Sequence, residues 1–286
     1  MSTSLPAGPP ALGLELGADA AVDDEGWLVR ELRAAPGLDG PPAILQGGLA
    51  AGVGGAIARQ VDRFGAPMTG LRARLHAPTP LGVAVEARVR AGDGPAHYLF
   101  ETRADGRLLA SGEVELAGHD PAPLGLDLLE LATVPLPVPR PQHQYPTCFV
   151  CGPEPTHRLG LRMHPRPGPP GTIIAPWIPA EELGTDNVVD PVIVAAVLDC
   201  PTVWSAIEPI RARGAVGALL AGFEVAHYHD VPVQEPVRVV ASFDAIDGRK
   251  VRARAAVVDE DGTCYALASA LQIAVERIPE GAGGAR

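Results

Sequence analysis

The stretch ILQGGLAAGVGGAIARQV, residues 44–61, decides the fold. It is apolar around nearly its whole circumference, which is typical of a buried helix. It nevertheless contains glycine at positions 47, 48, 52, 54 and 55, and each glycine costs a helix up to about 1 kcal/mol relative to alanine. We therefore expect another part of the chain to pack very close to this helix.

Segments with the period of β-strands flank the helix on both sides. Charged residues lie on one face and apolar residues on the other, which predicts an antiparallel sheet with one face in water. Asp105-Gly106 between the last two segments is a strong hairpin signal. The predicted strands are residues 12–16, 26–32, 71–77, 82–90, 95–104 and 108–116.

The same order of elements returns in the second half of the chain. Leu12–Leu16 is echoed by Leu159–Met163, and Asp105–Ser111 is echoed by Asp261–Ser269. A repeat of about 150 residues indicates a duplicated domain. The second copy is predicted to hold a helix at 190–207 and strands at 159–164, 171–177, 219–229, 237–245, 250–258 and 263–275.

The repeat defines the domain boundaries. We predict an N-terminal domain at 11–119, a Pro-rich linker at 120–146 packed as extended structure, and a C-terminal domain at 147–278.

Composition limits the function. A formal net charge of −11 argues against a nucleic-acid partner, which would need a basic surface. No run of 18 apolar residues predicts a membrane span, and residues 1–10 lack the features of a signal peptide. With four cysteines in 286 residues, we expect a cytoplasmic protein with reduced thiols.

Two motifs in the second half carry a family resemblance. Cys148–Pro153 followed by Leu159-Gly160-Leu161, and Leu198–Thr202 with Trp204, resemble signatures of the hotdog-fold, acyl-CoA thioesterase-like superfamily. The resemblance implies an α+β double hotdog: two antiparallel sheets, each wrapped around a central helix, joined as an intramolecular pseudo-dimer. It also implies an acyl-CoA or related acyl thioester as ligand, and a homodimer of tandem chains is the habit of the family.

The resemblance suggests site residues through the helix starts. In members resembling phenylacetyl-CoA thioesterases, His-Gly-Gly begins the helix and an acidic residue lies eight positions after the first glycine. The first copy has Gln46, Gly47 and Gly48 at the helix start, but Gly55 at the acidic position.

The second copy has the opposite pattern, with residues 190–192 (Asp-Pro-Val) at the helix start and Asp199 at the acidic position. Thioester hydrolysis needs an N–H donor for the oxyanion and a carboxylate that acts as base or nucleophile. One site therefore combines the amide of Gly47, with Gly48, and Asp199. The other site has lost both parts, because Pro191 has no N–H and Gly55 has no side chain.

Structural alternatives remain for each of these residues. Asp199 is also interpretable as a cap for Thr202, since Cys200-Pro201 is expected to interrupt the helix there. Gly47 and Gly48 are equally consistent with close packing of helix on sheet. Gln46 is a candidate either for ligand binding or for capping the helix.

Glu224, Gln272 and Thr202 are secondary candidates. Tandem enzymes resembling acyl-CoA thioesterase II place an acid on the strand after the second helix and a glutamine on the last strand, near Glu224 and Gln272. The alternative for Glu224 is a solvent-facing strand residue. His227 and His229 share a sheet face and are predicted to be exposed.

The Cys148-x-x-Cys151 pair raises the question of a metal site. His143, His157 or His164 would have to complete the ligand set. Because no second cysteine pair follows, we predict free thiols in a structural turn, with no metal and no cofactor. Cys200 and Cys264 are predicted to be core residues.

The sequence therefore predicts an acyl-CoA thioesterase-like hydrolase with one retained site. The alternative is a hotdog protein that binds an acyl-CoA or acyl ligand without turnover. A dehydratase or hydratase is a third hypothesis. Such hotdog enzymes use a histidine together with an acid, but neither predicted helix contains a histidine.

Overall fold

The computed structural model describes residues 13–62, 65–116, 126–135, 145–153, 159–166 and 171–279. The first half contains β1 (Leu14–Val22), β2 (Leu28–Ala34), α1 (Gly47–Val61), β3 (Met68–Leu75), β4 (Ala84–Ala91), β5 (His97–Ala104), β6 (Arg107–Leu116) and α2 (Leu126–Thr133). The second half contains β7 (His164–Arg166), β8 (Thr172–Trp177), β9 (Gly184–Thr185), β10 (Val188–Val189), α3 (Pro191–Ser205), α4 (Ile207–Arg211), β11 (Gly217–His227), β12 (Val237–Asp247), β13 (Lys250–Val258) and β14 (Cys264–Val275).

Twelve strands form one sheet in the order β1-β2-β4-β5-β6-β3-β11-β14-β13-β12-β8-β7. Read inward from its two edges, the sheet has the same order in each half, and each half inserts its long helix after its second strand in the sheet. The halves meet where β3 pairs antiparallel with β11, with Ala73 opposite Phe223. The structure therefore has one sheet of twelve strands where two joined sheets were predicted, because backbone pairing at this junction makes them continuous.

Helices α1 and α3 pack against each other and against the sheet, in one shared hydrophobic core. A Cβ at Gly48 would overlap the backbone carbonyl of Ala195, and one at Gly52 would lie 3.0 Å from Val192 Cγ1. The expected close neighbour of the glycine-rich helix is thus the second helix. The propensity cost of the glycines is offset by packing that only a missing side chain permits.

The predicted interruption at Pro201 is wrong, because α3 continues to Ser205. A proline inside a helix removes one backbone hydrogen bond. Two hydroxyls donate to backbone carbonyls in the same turn: Thr202 Oγ1 to Asp199 O at 2.6 Å, and Ser205 Oγ to Thr202 O at 2.9 Å. Asp199 is consequently an internal helix residue.

The predicted extended linker is also corrected, because it contains α2. Leu128, Leu131 and Ala132 of this helix are buried against the second half of the sheet, in a cluster with Ile174 and Val240. Their i, i+3, i+4 spacing is a helical signal that the surrounding prolines obscured. The linker positions 120–125 and 136–144 lie outside the described residues.

Within the described ranges, no helix has both the length and the hydropathy that crossing a bilayer requires.

Candidate active site

Asp199 of α3 extends its carboxylate to the start of α1. Its Oδ2 accepts hydrogen bonds from the Gly48 N–H at 3.0 Å and from Gln46 Nε2 at 2.7 Å. Its Oδ1 accepts one from Gln272 Nε2 of β14 at 2.9 Å. The carboxylate therefore does not cap its own helix, and that alternative is wrong. A residue of the second half is instead held by the helix start of the first.

Gln46 fixes this arrangement as the N-cap residue of α1. Its Oε1 accepts from the Leu49 N–H at 2.8 Å, so its Nε2 is turned toward Asp199. The capping role proposed for Gln46 is real, and the same side chain also positions the acid.

The first turn of α1 leaves one amide for a ligand. The first N–H groups of a helix lack intrahelical partners. Those of Gly48 and Leu49 are taken by Asp199 and Gln46. In the described part of the chain the Gly47 N–H has no hydrogen-bond partner, and Gly47 lines the adjacent cavity. This N–H lies at the positive end of the helix dipole and is available to donate to a ligand.

Only glycine fits at position 47 without a steric clash. A Cβ there would lie 2.7 Å from Asp199 Oδ2 and 2.9 Å from Leu220 Cβ. The sheet thus packs closely here, as the structural alternative held, but the acid is the nearer neighbour.

Gln272 and Thr202 continue the hydrogen-bond chain. Gln272 Nε2 also donates to Thr202 Oγ1 at 3.0 Å, while the Thr202 hydroxyl donates to the backbone carbonyl of Asp199. Gln272 is fully buried, and its Oε1 has no partner within the described ranges. Both secondary candidates therefore lie beside the acid.

Burial raises the pKa of Asp199 to about 7, against the lowering effect of the hydrogen bonds from Gln272 and Gly48. An acid with this pKa is divided between its two protonation states near neutral pH. Such a group can both take up and release a proton at working pH.

The cluster forms one wall of a cavity of about 260 Å³. Ile44, Leu45, Val203 and Leu220 make much of the remaining lining apolar. The cavity borders a groove across the outer face of the β3–β11 junction, since Leu75, His76, Ala221 and Ile273 line both.

The groove carries cationic side chains in a chain of net negative charge. Arg74, Lys250 and Arg252 line it, and these three form no ion pair with any described residue. These side chains would attract a polyanionic ligand, whereas the negative net charge of the whole chain would not.

Glu224 is not part of the cluster. Its side chain is 61% exposed, and its carboxylate accepts a hydrogen bond from Arg72 Nε at 3.1 Å. The solvent-facing alternative for this residue is therefore correct. His229 is exposed as predicted, whereas His227 is half-buried, which corrects that prediction.

The second helix start lacks the parts of a thioester site. Asp190 caps α3 by accepting from the Val192 N–H at 2.8 Å, and Arg59 of α1 pairs with both of its carboxylate oxygens at 2.9 Å. Pro191 is the first helical residue, and Gly55 faces the buried Met68 sulfur. Burial, followed by the charge of Arg59, lowers the pKa of His227 nearby to about 4.

The sequence prediction did not anticipate two contacts. Gly48, rather than Gly47, donates to Asp199, because the antiparallel crossing of the helices sets the register. Cys200 lies at the cavity with Cys148, their sulfurs 3.7 Å apart, instead of being a simple core residue. His143 and His157, named above for a metal site, lie outside the described residues, and His164 is not in this group of sulfurs.

Comparisons with known proteins identify the fold. A conserved protein of unknown function with a hot dog fold from Alicyclobacillus acidocaldarius matches 91% of this chain and 96% of its own, at 14% identity and a TM-score of 0.62. The chain has the hotdog fold. The family resemblance inferred from the sequence is thereby confirmed at the level of the fold.

Two further solved structures that match are named for an activity. An acyl-CoA thioesterase II from Mycobacterium marinum matches 91% of this chain and 96% of its own, at 13% identity and a TM-score of 0.59. The dehydratase domain of a mycocerosic acid synthase-like polyketide synthase matches 96% and 99%, at 17% identity and a TM-score of 0.62. No protein-family model and no curated protein matches the sequence.

Proposed function

We propose that this protein is a thioester hydrolase with a single site at the start of α1. The observation that carries the proposal is the buried Asp199 carboxylate, held by Gly48, Gln46 and Gln272 beside the free amide of Gly47. A carboxylate and an unpaired helix-start N–H on one apolar cavity are the two groups that thioester hydrolysis needs.

In the proposed reaction the thioester carbonyl oxygen accepts a hydrogen bond from the Gly47 N–H. Asp199 takes a proton from a water molecule, whose oxygen bonds to the carbonyl carbon. The carbon–sulfur bond then breaks, and the proton passes from Asp199 to the leaving thiolate. We favour the role of base over that of nucleophile, because all three hydrogen bonds hold the two carboxylate oxygens in place.

We further infer that the chain is a tandem pair of hotdog units acting as its own pseudo-dimer. The identical strand order of the two halves and the antiparallel contact of α1 with α3 support this. Each helix start then faces the middle of the other helix, so the chain has two pseudo-equivalent sites.

An acyl-CoA is the substrate class that fits best. The apolar cavity suits an acyl group, and Arg74, Lys250 and Arg252 in the adjoining groove suit the phosphates of the CoA nucleotide. The Mycobacterium marinum neighbour, an acyl-CoA thioesterase II by name, supports the same substrate class.

A panel of acyl-CoA esters, assayed with a thiol reagent, tests the proposal. Wild-type protein should release CoA, and Asp199→Asn should not. Glu208→Gln is the matched control, since it neutralises an exposed acid of α4 that lines neither the cavity nor the groove. Tight binding of acyl-CoA without turnover by the wild type would instead establish the non-catalytic binding protein.

The groove has its own test. Arg252→Ala should raise KM for an acyl-CoA severalfold, as expected for one exposed charge, and leave KM for the matching acyl-pantetheine unchanged. Equal effects on both substrates would remove the groove from the proposal.

The hypothesis of a dehydratase receives less support. Such an enzyme needs a histidine working with the acid, and among the described residues no imidazole bonds to Asp199. His76 lines the cavity, but its ring contacts Ser111 Oγ at 2.9 Å on the outer face.

A further inference from the structure

Three of the four cysteines converge in the wall of the cavity. Cys148 and Cys151 lie on the turn after Tyr145, and Cys200 lies on α3 next to Asp199. The three sulfurs are all within 4.8 Å of one another, and those of Cys148 and Cys200 are 3.7 Å apart. All three are free thiols.

These separations match a shared metal ion better than they match a covalent bond. Two thiolates at about 2.3 Å from a tetrahedral zinc ion lie about 3.8 Å from each other. A disulfide requires about 2.05 Å. Small rotations about the Cα–Cβ bonds would bring the most distant sulfur to the same spacing.

The turn that carries Cys148 and Cys151 is tightly closed. A Cβ at Gly152 would lie 2.5 Å from the carbonyl oxygens of both Cys148 and Pro146, so the Cys-x-x-Cys-Gly turn can close only with glycine there. The closed turn holds the two cysteines close together on one side of the cavity.

We propose that Cys148, Cys151 and Cys200 bind one Zn²⁺ ion, with the fourth coordination position open to the cavity. Three thiolates are a donor set that zinc favours. Cysteine binds zinc as the thiolate, so binding of the ion would release the thiol protons. Because all three residues line the cavity, the ion has a path of entry.

A second feature points to a ligand at the open position. The Tyr145 hydroxyl lines the same cavity, is buried, and has no partner in the described part of the chain. Water or a substrate atom on the ion would give it one. This inference revises the expectation of free thiols, because Cys200 becomes a third ligand only when the chain folds.

Cobalt substitution tests the site without reference to thioester turnover. Reduced, chelator-treated protein titrated with Co²⁺ should develop sulfur-to-cobalt charge-transfer absorption that ends at one ion per chain. Cys264→Ser is the matched control and should behave like the wild type, because among the described residues Cys264 lies outside the sulfur cluster and bonds to the Ala266 carbonyl on β14. Cys151→Ser should weaken binding by more than the roughly 10- to 100-fold cost of losing an outer partner.

Thermal unfolding with Zn²⁺ gives a second measure. Zinc should raise the Tm of wild type and Cys264→Ser, and leave the Tm of Cys151→Ser unchanged. If Cys151→Ser fails to fold, the wild type decides: no charge-transfer band, or no zinc retained after dialysis, overturns the proposal. An unchanged band in folded Cys151→Ser overturns it as well. None of these results bears on Asp199.

Discussion

The two helix starts of this protein occupy equivalent places in the two halves and hold their acids in different ways. At the start of α1, Gln46 and the Gly48 amide hold the carboxylate of Asp199 from the other half. At the start of α3, Asp190 is itself the acid, and Arg59 from the other half neutralises it through both oxygens. The first arrangement leaves an amide and a titratable acid for a ligand. The second arrangement pairs its charges with each other.

The same backbone arrangement thus surrounds a proposed catalytic acid in one half and an ion pair in the other. Both sites lie where α1 and α3 cross, so both need their polar groups satisfied. In the first, the hydrogen-bond donors to the acid among the described residues are all neutral, so burial can raise its pKa to about 7. In the second, the ion pair is satisfied internally, and Pro191 offers no N–H. We therefore expect catalytic activity only at the helix start whose acid has no counter-ion.

The largest effect is expected from the two acids. Asp199→Asn should lower kcat by about 10² to 10⁴, the usual contribution of a catalytic base, with little change in ligand affinity or folding. Asparagine fits because Gln272 can turn its unpaired Oε1 toward the new amide. Steady-state kinetics and a binding assay with a non-hydrolysable thioether check this.

Asp190→Asn should do the reverse. It should cost roughly 1–3 kcal/mol in the free energy of unfolding, less than a fully buried pair because Arg59 is 30% exposed. Its kcat per folded molecule should remain near that of the wild type. Urea denaturation measures the first quantity, and an inactive but stable Asp190→Asn variant would break the comparison.

The next effect concerns the space at the first helix start. Gly47→Ala keeps the N–H but puts a Cβ 2.7 Å from Asp199 Oδ2 and 2.9 Å from Leu220 Cβ. It should displace the acid and lower kcat/KM by at least the roughly tenfold that 1.4 kcal/mol represents. Gly94→Ala is the control, since its Cβ would meet His97 Cβ at an ordinary 3.7 Å. Wild-type kinetics for Gly47→Ala would mean that the acid does not act from this position.

Asp199 at the first site and His227 near the second should make the stability of the fold depend on pH in opposite directions. Because the folded pKa of Asp199 is raised to about 7, activity should rise with pH and level off above that value. The same shift makes Asp199 lower the stability of the fold as pH rises from about 4 to 7, since the unfolded acid loses its proton first.

His227 has the opposite sign. Its folded pKa is lowered to about 4, so it lowers stability as pH falls from about 6.5 toward 4, where the unfolded histidine binds the proton first. In the Asp199→Asn variant, the free energy of unfolding should therefore rise with pH in this window. In the His227→Gln variant, it should fall. Denaturation series at several pH values separate the two, and slopes of the same sign in both variants would contradict the assignment.

The smallest effect is expected from Gly55→Asp, which should not restore the activity that Asp199→Asn removes. Gly55→Asp places an acid at the pseudo-equivalent position, but Pro191 still has no N–H to offer. The new side chain would also overlap the buried Met68 sulfur. In an Asp199→Asn background it should restore no hydrolysis. Measurable turnover there would show that the second site needs only a carboxylate.

The amino-acid sequence by itself determined the local features of this protein. The apolar, glycine-rich run predicted α1, the alternating segments predicted the strands of both halves, and the repeat predicted equal topologies, since these patterns arise from neighbours along the chain. The contrast of Gly55 with Asp199 also indicated which helix start kept the acid.

Only the tertiary structure decided which of these residues meet. The crossing of α1 and α3 selects Gly48 as the donor to Asp199, and pairing of β3 with β11 joins two predicted sheets into one. Folding also adds Cys200 to the Cys148 pair and Arg59 to Asp190. These contacts join residues 52 to 152 positions apart, and their register depends on how closely whole elements pack, which no local pattern records.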